Sequence, residues 1–196
     1  MKLNALLAAV LVVGAISTSH AQQSVYTATL DGPTEAPPNS STGTGTAIVT
    51  IDFNQLTMRV QESFSGLTAG VTASHIHCCT SAPDSGTAGV ATVTPTFTDF
   101  PSGVMAGSYD HTFDMTLASS YNSAFVTASG GINGAFDALV AGLNSGTAYT
   151  NIHSADFPMG EIRGFLHAAP IPEPETYAML LAGLGLIGAI ARRRRA

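Results

Sequence analysis

Two histidines one residue apart, His75 and His77, and a third far along the chain, His153, are the residues of this sequence best suited to chemistry. In an extended chain, positions i and i+2 project from the same face, so His75 and His77 lie side by side with Ile76 opposite. They stand about 7 Å apart along such a strand. Two imidazoles at that distance can share a metal ion where the strand twists, and a ligand from another strand closes the site. His153 is the candidate third ligand. Copper or zinc is the ion that imidazole nitrogens suit. The competing expectation is three histidines hydrogen-bonded within the fold and holding loops in place.

Three further features touch these clusters. Cys78 and Cys79 follow His77 directly and are the only cysteines. After export they meet an oxidising compartment. A vicinal disulfide is the expected outcome; thiolate ligands beside His77 or a cross-link to a partner are the alternatives. It would close almost no loop, so it fixes local geometry more than global stability. Glu161 and Arg163 are i and i+2 near the C-terminal end of the body, with Ile162 opposite. Arg163 is expected to pair with a carboxylate, because a charge near a core needs a partner. Glu161 is expected either to act as an acid in a site or to support a histidine as a hydrogen-bond acceptor.

Other chemistries find little purchase. There is no Gly-x-Ser-x-Gly elbow, phosphate loop or dinucleotide fingerprint. No pair of acids stands out for glycosidic cleavage. Asp110 and Asp114 fall on a polar strand face without calcium-loop spacing. From Gln22 to Ile171 there are eleven acids against two bases, Arg59 and Arg163, a net charge of −9. That balance excludes nucleic acid and anionic membrane surfaces as partners, since both require a basic footprint.

The elements that must position these residues are short strands between turn signals. Val25–Leu30, Thr44–Asp52, Leu56–Phe64, Val71–His77, Gly89–Thr94, Tyr109–Leu117, Ala148–His153 and Glu161–Leu166 read as strands. In Tyr109–Leu117 the residues Tyr109, His111, Phe113, Met115 and Leu117 share one face, the pattern of a half-buried strand. Ile132, Phe136, Leu139, Val140 and Leu143 recur at helical spacing, which predicts one helix of two to three turns with Asn133 as its cap and Gly146 after its end. The expected fold is all-β: an antiparallel, Greek-key-like sandwich with one short helix.

Both ends read as addresses. Lys2, the apolar run Leu6–Ile16 and Ser19-His20-Ala21 make residues 1–21 a secretory signal peptide. Residues 22–169 form the domain, and residues 170–196 a linker and hydrophobic tail. The apolar run Tyr177–Ala191 would cover about 22 Å as a helix. This falls short of the ~30 Å hydrocarbon core, so the helix would span a membrane only marginally. Pro172-Glu173-Pro174, this run and Arg192, Arg193, Arg194 and Arg195 follow one another in order. The tail resembles the PEP-CTERM sorting signal of Gram-negative bacteria. That resemblance implies a transient transmembrane anchor in the inner membrane and removal by an exosortase-type protease, which delivers the body to the cell surface or extracellular matrix.

The body resembles the CHRD domain. Leu30-x-Gly32 with Glu35, Pro37 and Pro38, then His75-Ile76-His77, then Tyr149-x-Asn151-x-His153, then Gly160-Glu161-Ile162-Arg163-Gly164 match its pattern in order. Leu67–His77 is also similar to the His-x-His strand of Cu/Zn superoxide dismutases, whose bridging histidine and zinc ligands have no counterpart in this chain. The expectation is therefore an exported envelope or matrix protein with a non-enzymatic binding or structural domain, its partners an envelope polysaccharide or protein. The alternative is a small copper- or zinc-binding metalloprotein, with dismutase-like redox activity as its enzymatic form.

Overall fold

The computed structural model describes residues 23–169 and 174–193; the signal segment, Pro172, Glu173, Arg194 and Arg195 lie outside them. Eight strands form one antiparallel sheet: β1 (Gln23–Asp31), β2 (Thr44–Asp52), β3 (Thr57–Ser65), β4 (Val71–His77), β5 (Gly107–Asp114), β6 (Tyr149–Ser154), β7 (Ile162–Phe165) and β8 (His167–Ala168). The order across the sheet is β4-β6-β7-β1-β2-β3-β5, with β8 paired to β1. The chain lays down β1, β2 and β3 as a meander, crosses to the far edge for β4, returns for β5 and crosses again for β6.

Alternation builds the core. On β2 the residues Gly45, Ala47, Val49 and Ile51 point inward between exposed Thr44, Thr46 and Ile48. On β3 Met58, Val60, Glu62 and Phe64 point inward. Each fully buried aliphatic side chain of this kind contributes about 1.5–3 kcal/mol. Glu62 also shows that the sheet curls. Its carboxylate accepts hydrogen bonds from Ser74 Oγ on β4 at 2.9 Å and Thr150 Oγ1 on β6 at 2.5 Å. Those strands stand at the other end of the sheet order, so the two ends face each other across the core. The β4 edge is covered by the segment leading to β5: Phe97 N–H donates to Ser74 O, and Gly103 N–H to Val71 O. An edge so covered offers no template for aggregation.

The all-β class with a small helical part holds, as one curled sheet whose halves face each other. Several boundaries differ from the sequence reading. Gly89–Thr94 forms no strand; it makes isolated bridges, His77 to Val90 and Thr92 to Tyr121. Thr92 Oγ1 accepts from the Ile76 N–H in place of a ladder bond. β5 stops at Asp114, and Leu117 is exposed. Two helices stand where one was expected. α1 (Ser123–Ala128) is capped by the Asn122 side chain, and α2 (Ile132–Ser145) runs about four turns. Asn133 is inside α2 rather than its cap, because Gly130 and Gly131 at positive φ turn the chain just before Ile132. Gly146 ends α2 in the left-handed conformation, as the sequence predicts. Leu139 and Leu143 are fully buried on its inner face, and Asn144 Oδ1 accepts from the Tyr26 hydroxyl of β1.

The tail forms a third helix, α3 (Pro174–Arg193). No helix among the described residues is long and apolar enough to cross a membrane, so the transmembrane expectation is unsupported. The uninterrupted apolar run is only Tyr177–Ala191, and the ends of α3 carry Glu175, Arg192 and Arg193.

Candidate functional site

β4, β6 and β7 carry the site on their outer face. Ser74 and Ile76 point into the core, so His75 and His77 must point out. β6 pairs with β4 so that Tyr149 lies opposite His77, Asn151 opposite His75 and His153 opposite Ala73. Tyr149, Asn151 and His153 therefore share the histidines' face, and the Tyr-x-Asn-x-His motif is a single-face strand motif. Arg163 on β7 lies opposite Asn151 and extends the face by one strand.

The three imidazoles meet. Ring centroids are 5.9 Å apart for His75 and His77, 5.3 Å for His75 and His153, and 6.4 Å for His77 and His153. One nitrogen of each lies within 4.8 Å of one nitrogen of each of the others. The loop that fails to form a strand supplies their covers. His75 Nε2 donates to Pro95 O at 2.6 Å, and His77 Nδ1 donates to Ala88 O at 2.9 Å. His153 Nδ1 donates to Pro158 O at 3.0 Å. A carbonyl can only accept, so each bond fixes a tautomer and leaves a lone pair on the other nitrogen. The freed nitrogens of His75 and His153, Nδ1 and Nε2, are buried without a partner. His77 Nε2 faces Asn151 Oδ1 at 3.1 Å. A neutral ring can donate through only one nitrogen, so one side of His77 meets an acceptor it cannot satisfy.

Burial disfavours the charged form of all three imidazoles. It pushes His75 down to about 4 despite its bond to Pro95, and the neighbouring His153 and His77 add to the fall. Burial likewise lowers His77 and His153.

Charge is arranged behind the histidines. Arg163 is 4 % exposed, and its guanidinium lies over the rings of Tyr149 and Phe165 at 4.8 and 5.3 Å. It donates to the carbonyls of Thr34 and Gly86. Its carboxylate neighbour is Glu35, 4.0 Å away. Burial raises Glu35 to about 7 against the pull of Arg163, the Ala36 N–H and Asn151. Gly160 makes room here: at φ +128°, a Cβ on it would collide with Glu35 Oε1 and Asn151 Nδ2.

Glu161 is elsewhere. It precedes β7, and its Oε1 accepts from Ser41 Oγ and the Thr68 N–H, both at 2.7 Å. Burial opposes its charge, but the bonds from Ser154, Ser41 and Thr68 prevail and hold its carboxyl below the usual range. None of its hydrogen bonds goes to an imidazole, so the structure does not place Glu161 as a support for the histidines; Asn151, facing His77 Nε2, stands in that position. Cys78 and Cys79 are joined in a disulfide. Both sulfurs pack on α2, near Ala138 O and against Gly142, where a Cβ would collide with them. They are not in the histidine cluster, and as a disulfide they offer no thiolate.

Sequence reasoning missed Glu62 and the bridging place of Asn151. The period of two could have found both: Glu62 is the one charged residue among Met58, Val60 and Phe64, and Asn151 is two residues from His153.

A curled antiparallel sheet with four separated motifs converging on one covered face defines the class of domain. The CHRD domain family model matches residues 26–166. The chain belongs to the CHRD domain family. The PEP-CTERM protein-sorting motif matches residues 170–195 and marks an exported, membrane-associated protein sorted through an exosortase. Neither the curated proteins compared nor the solved structures give a match.

Proposed function

We propose that the CHRD body is a non-enzymatic binding or structural domain, displayed at the cell surface or in the extracellular matrix after its tail is processed. One observation carries this reading: Glu161 and Arg163, two charged groups that acid–base chemistry could use, are engaged in holding the fold. Glu161 fastens Ser41 and Thr68, and Arg163 fastens the Thr34 and Gly86 carbonyls beside Glu35. Its sorting tail supports an envelope polysaccharide or protein as the partner and transient residence at the inner membrane. The alternative, a small copper- or zinc-binding metalloprotein, draws nothing from the family match and stands on the histidine geometry alone.

The test is fractionation of cells making the full chain, followed by pull-down with isolated envelope polysaccharide and with envelope proteins. Retention of the processed body on one of these fractions is expected. Release as a freely soluble body with turnover of a substrate, abolished in Glu35→Gln, would overturn the proposal.

A further inference from the structure

Three features of the histidine cluster are unaccounted for by a scaffold role. His75 is 6 % exposed, yet its Nδ1 has no partner. His153 Nε2 is equally orphaned. His77 is held between two acceptors, Ala88 O and Asn151 Oδ1. A histidine that only braced loops would not leave two buried nitrogens unpaired, since each unmade bond is costly. The three rings bring one nitrogen each within 4.8 Å of the others, and one N–H of each ring is fixed on a backbone carbonyl. That is the support pattern of metal-ligating histidines.

We propose that His75 Nδ1, His77 Nε2 and His153 Nε2 form a three-nitrogen coordination site for a copper or zinc ion on the covered face of β4 and β6, with Asn151 as a positioning residue at its rim. Imidazole nitrogens without thiolate or carboxylate select these ions over hard cations. Ligand nitrogens around one such ion stand ~3.4 Å apart, given metal–nitrogen bonds of about 2.0–2.1 Å. The present spread of 4.8 Å therefore requires a small contraction, within reach of ring rotation. A cation at His77 Nε2 also removes its conflict with Asn151 Oδ1, which then faces positive charge. Three protein ligands leave a fourth position open to solvent or a small ligand. The site is independent of the binding role proposed above: its failure leaves that role standing, and the converse holds.

The full chain, exported and stripped by chelation, is titrated separately with Cu(II) and Zn(II). About one ion per chain is expected, with Cu(II) paramagnetic resonance showing nitrogen ligation. His75→Ala and His153→Ala should each remove it. Should the buried His75→Ala chain fail to fold, His153→Ala, checked by circular dichroism, carries the test. Asn151→Ala should weaken affinity ~10–100-fold while keeping the nitrogen signature. His111→Ala and His167→Ala should retain the ion: His167 pairs with Asp84, and His111 stacks beside Tyr109. Binding far from one ion per chain, binding that survives His153→Ala, or binding lost in His167→Ala would each overturn the proposal.

Discussion

The body has two arginines, and they stand on opposite kinds of surface. Arg59 lies on the open face of β3, about half exposed, and donates from Nε and Nη2 to Asp110 at 2.8 and 2.5 Å. Arg163 lies on the covered face of β7, 4 % exposed, among two carbonyls, two aromatic rings and Glu35. Arg59 has the better ion-pair geometry of the two. Its pair is nevertheless the less consequential one, because water and salt screen it. Arg163 has a looser carboxylate contact but fixes two loops, and no water replaces what it gives up. Covering a face turns ordinary polar side chains into structural necessities.

The largest break in that comparison is Arg163→Ala. It leaves Glu35 and two carbonyls unpaired, and the expected loss is about 3–5 kcal/mol in denaturant unfolding of the full chain. An equal effect of Arg59→Ala would undo the contrast.

Glu62 extends the comparison to the core, where an acid is met by hydroxyls rather than a cation. Burial raises it to about 7, against the bonds from Thr150 and Ser74. Tyr109 lies opposite it on β5, and burial and Glu62 push that phenol up. A folded-state pKa above the unfolded one stabilises at low pH, and that stability is lost as pH rises through about 7. Between pH 5 and pH 8, wild type should therefore lose about 2–3 kcal/mol more than Glu62→Gln. Parallel pH–stability curves for the two chains would contradict this.

Gly160→Ala sharpens the view of the covered face. The added methyl meets Glu35 and Asn151 on a backbone at positive φ, and a loss of about 1–3 kcal/mol is expected in thermal unfolding. The smallest effect belongs to Arg59→Ala, whose unfolding midpoint at physiological salt should match wild type.

The parts of the fold legible in the sequence were those with a strict local period. β1, β2, β3, β4 and β6 announce themselves by alternation and turn residues, and α2 by its helical spacing. Gly89–Thr94 misled, because its apolar residues serve a loop that bonds to β4 through Thr92 and turns carbonyls toward His75 and His77. α1 has only six residues, too short for a periodic signal. Of the candidate site, the shared face of His75 and His77 was a matter of strand period. The company of Arg163 was expected as a carboxylate, though nothing local named Glu35.

By itself, then, the sequence determined the sorting tail, the acidic body, the strand faces and the adjacency of Cys78 and Cys79, all of which depend on composition or on neighbours a few residues apart. Only the tertiary structure decided that β6 pairs with β4, which sets His153 beside His75 and Asn151 against His77. It also decided that Glu161 turns to Ser41 and Thr68 instead of the histidines. These contacts join residues dozens of positions apart. No local preference encodes them; they follow from which strands must pair to bury one core and from the loops that then cover the face left outside it.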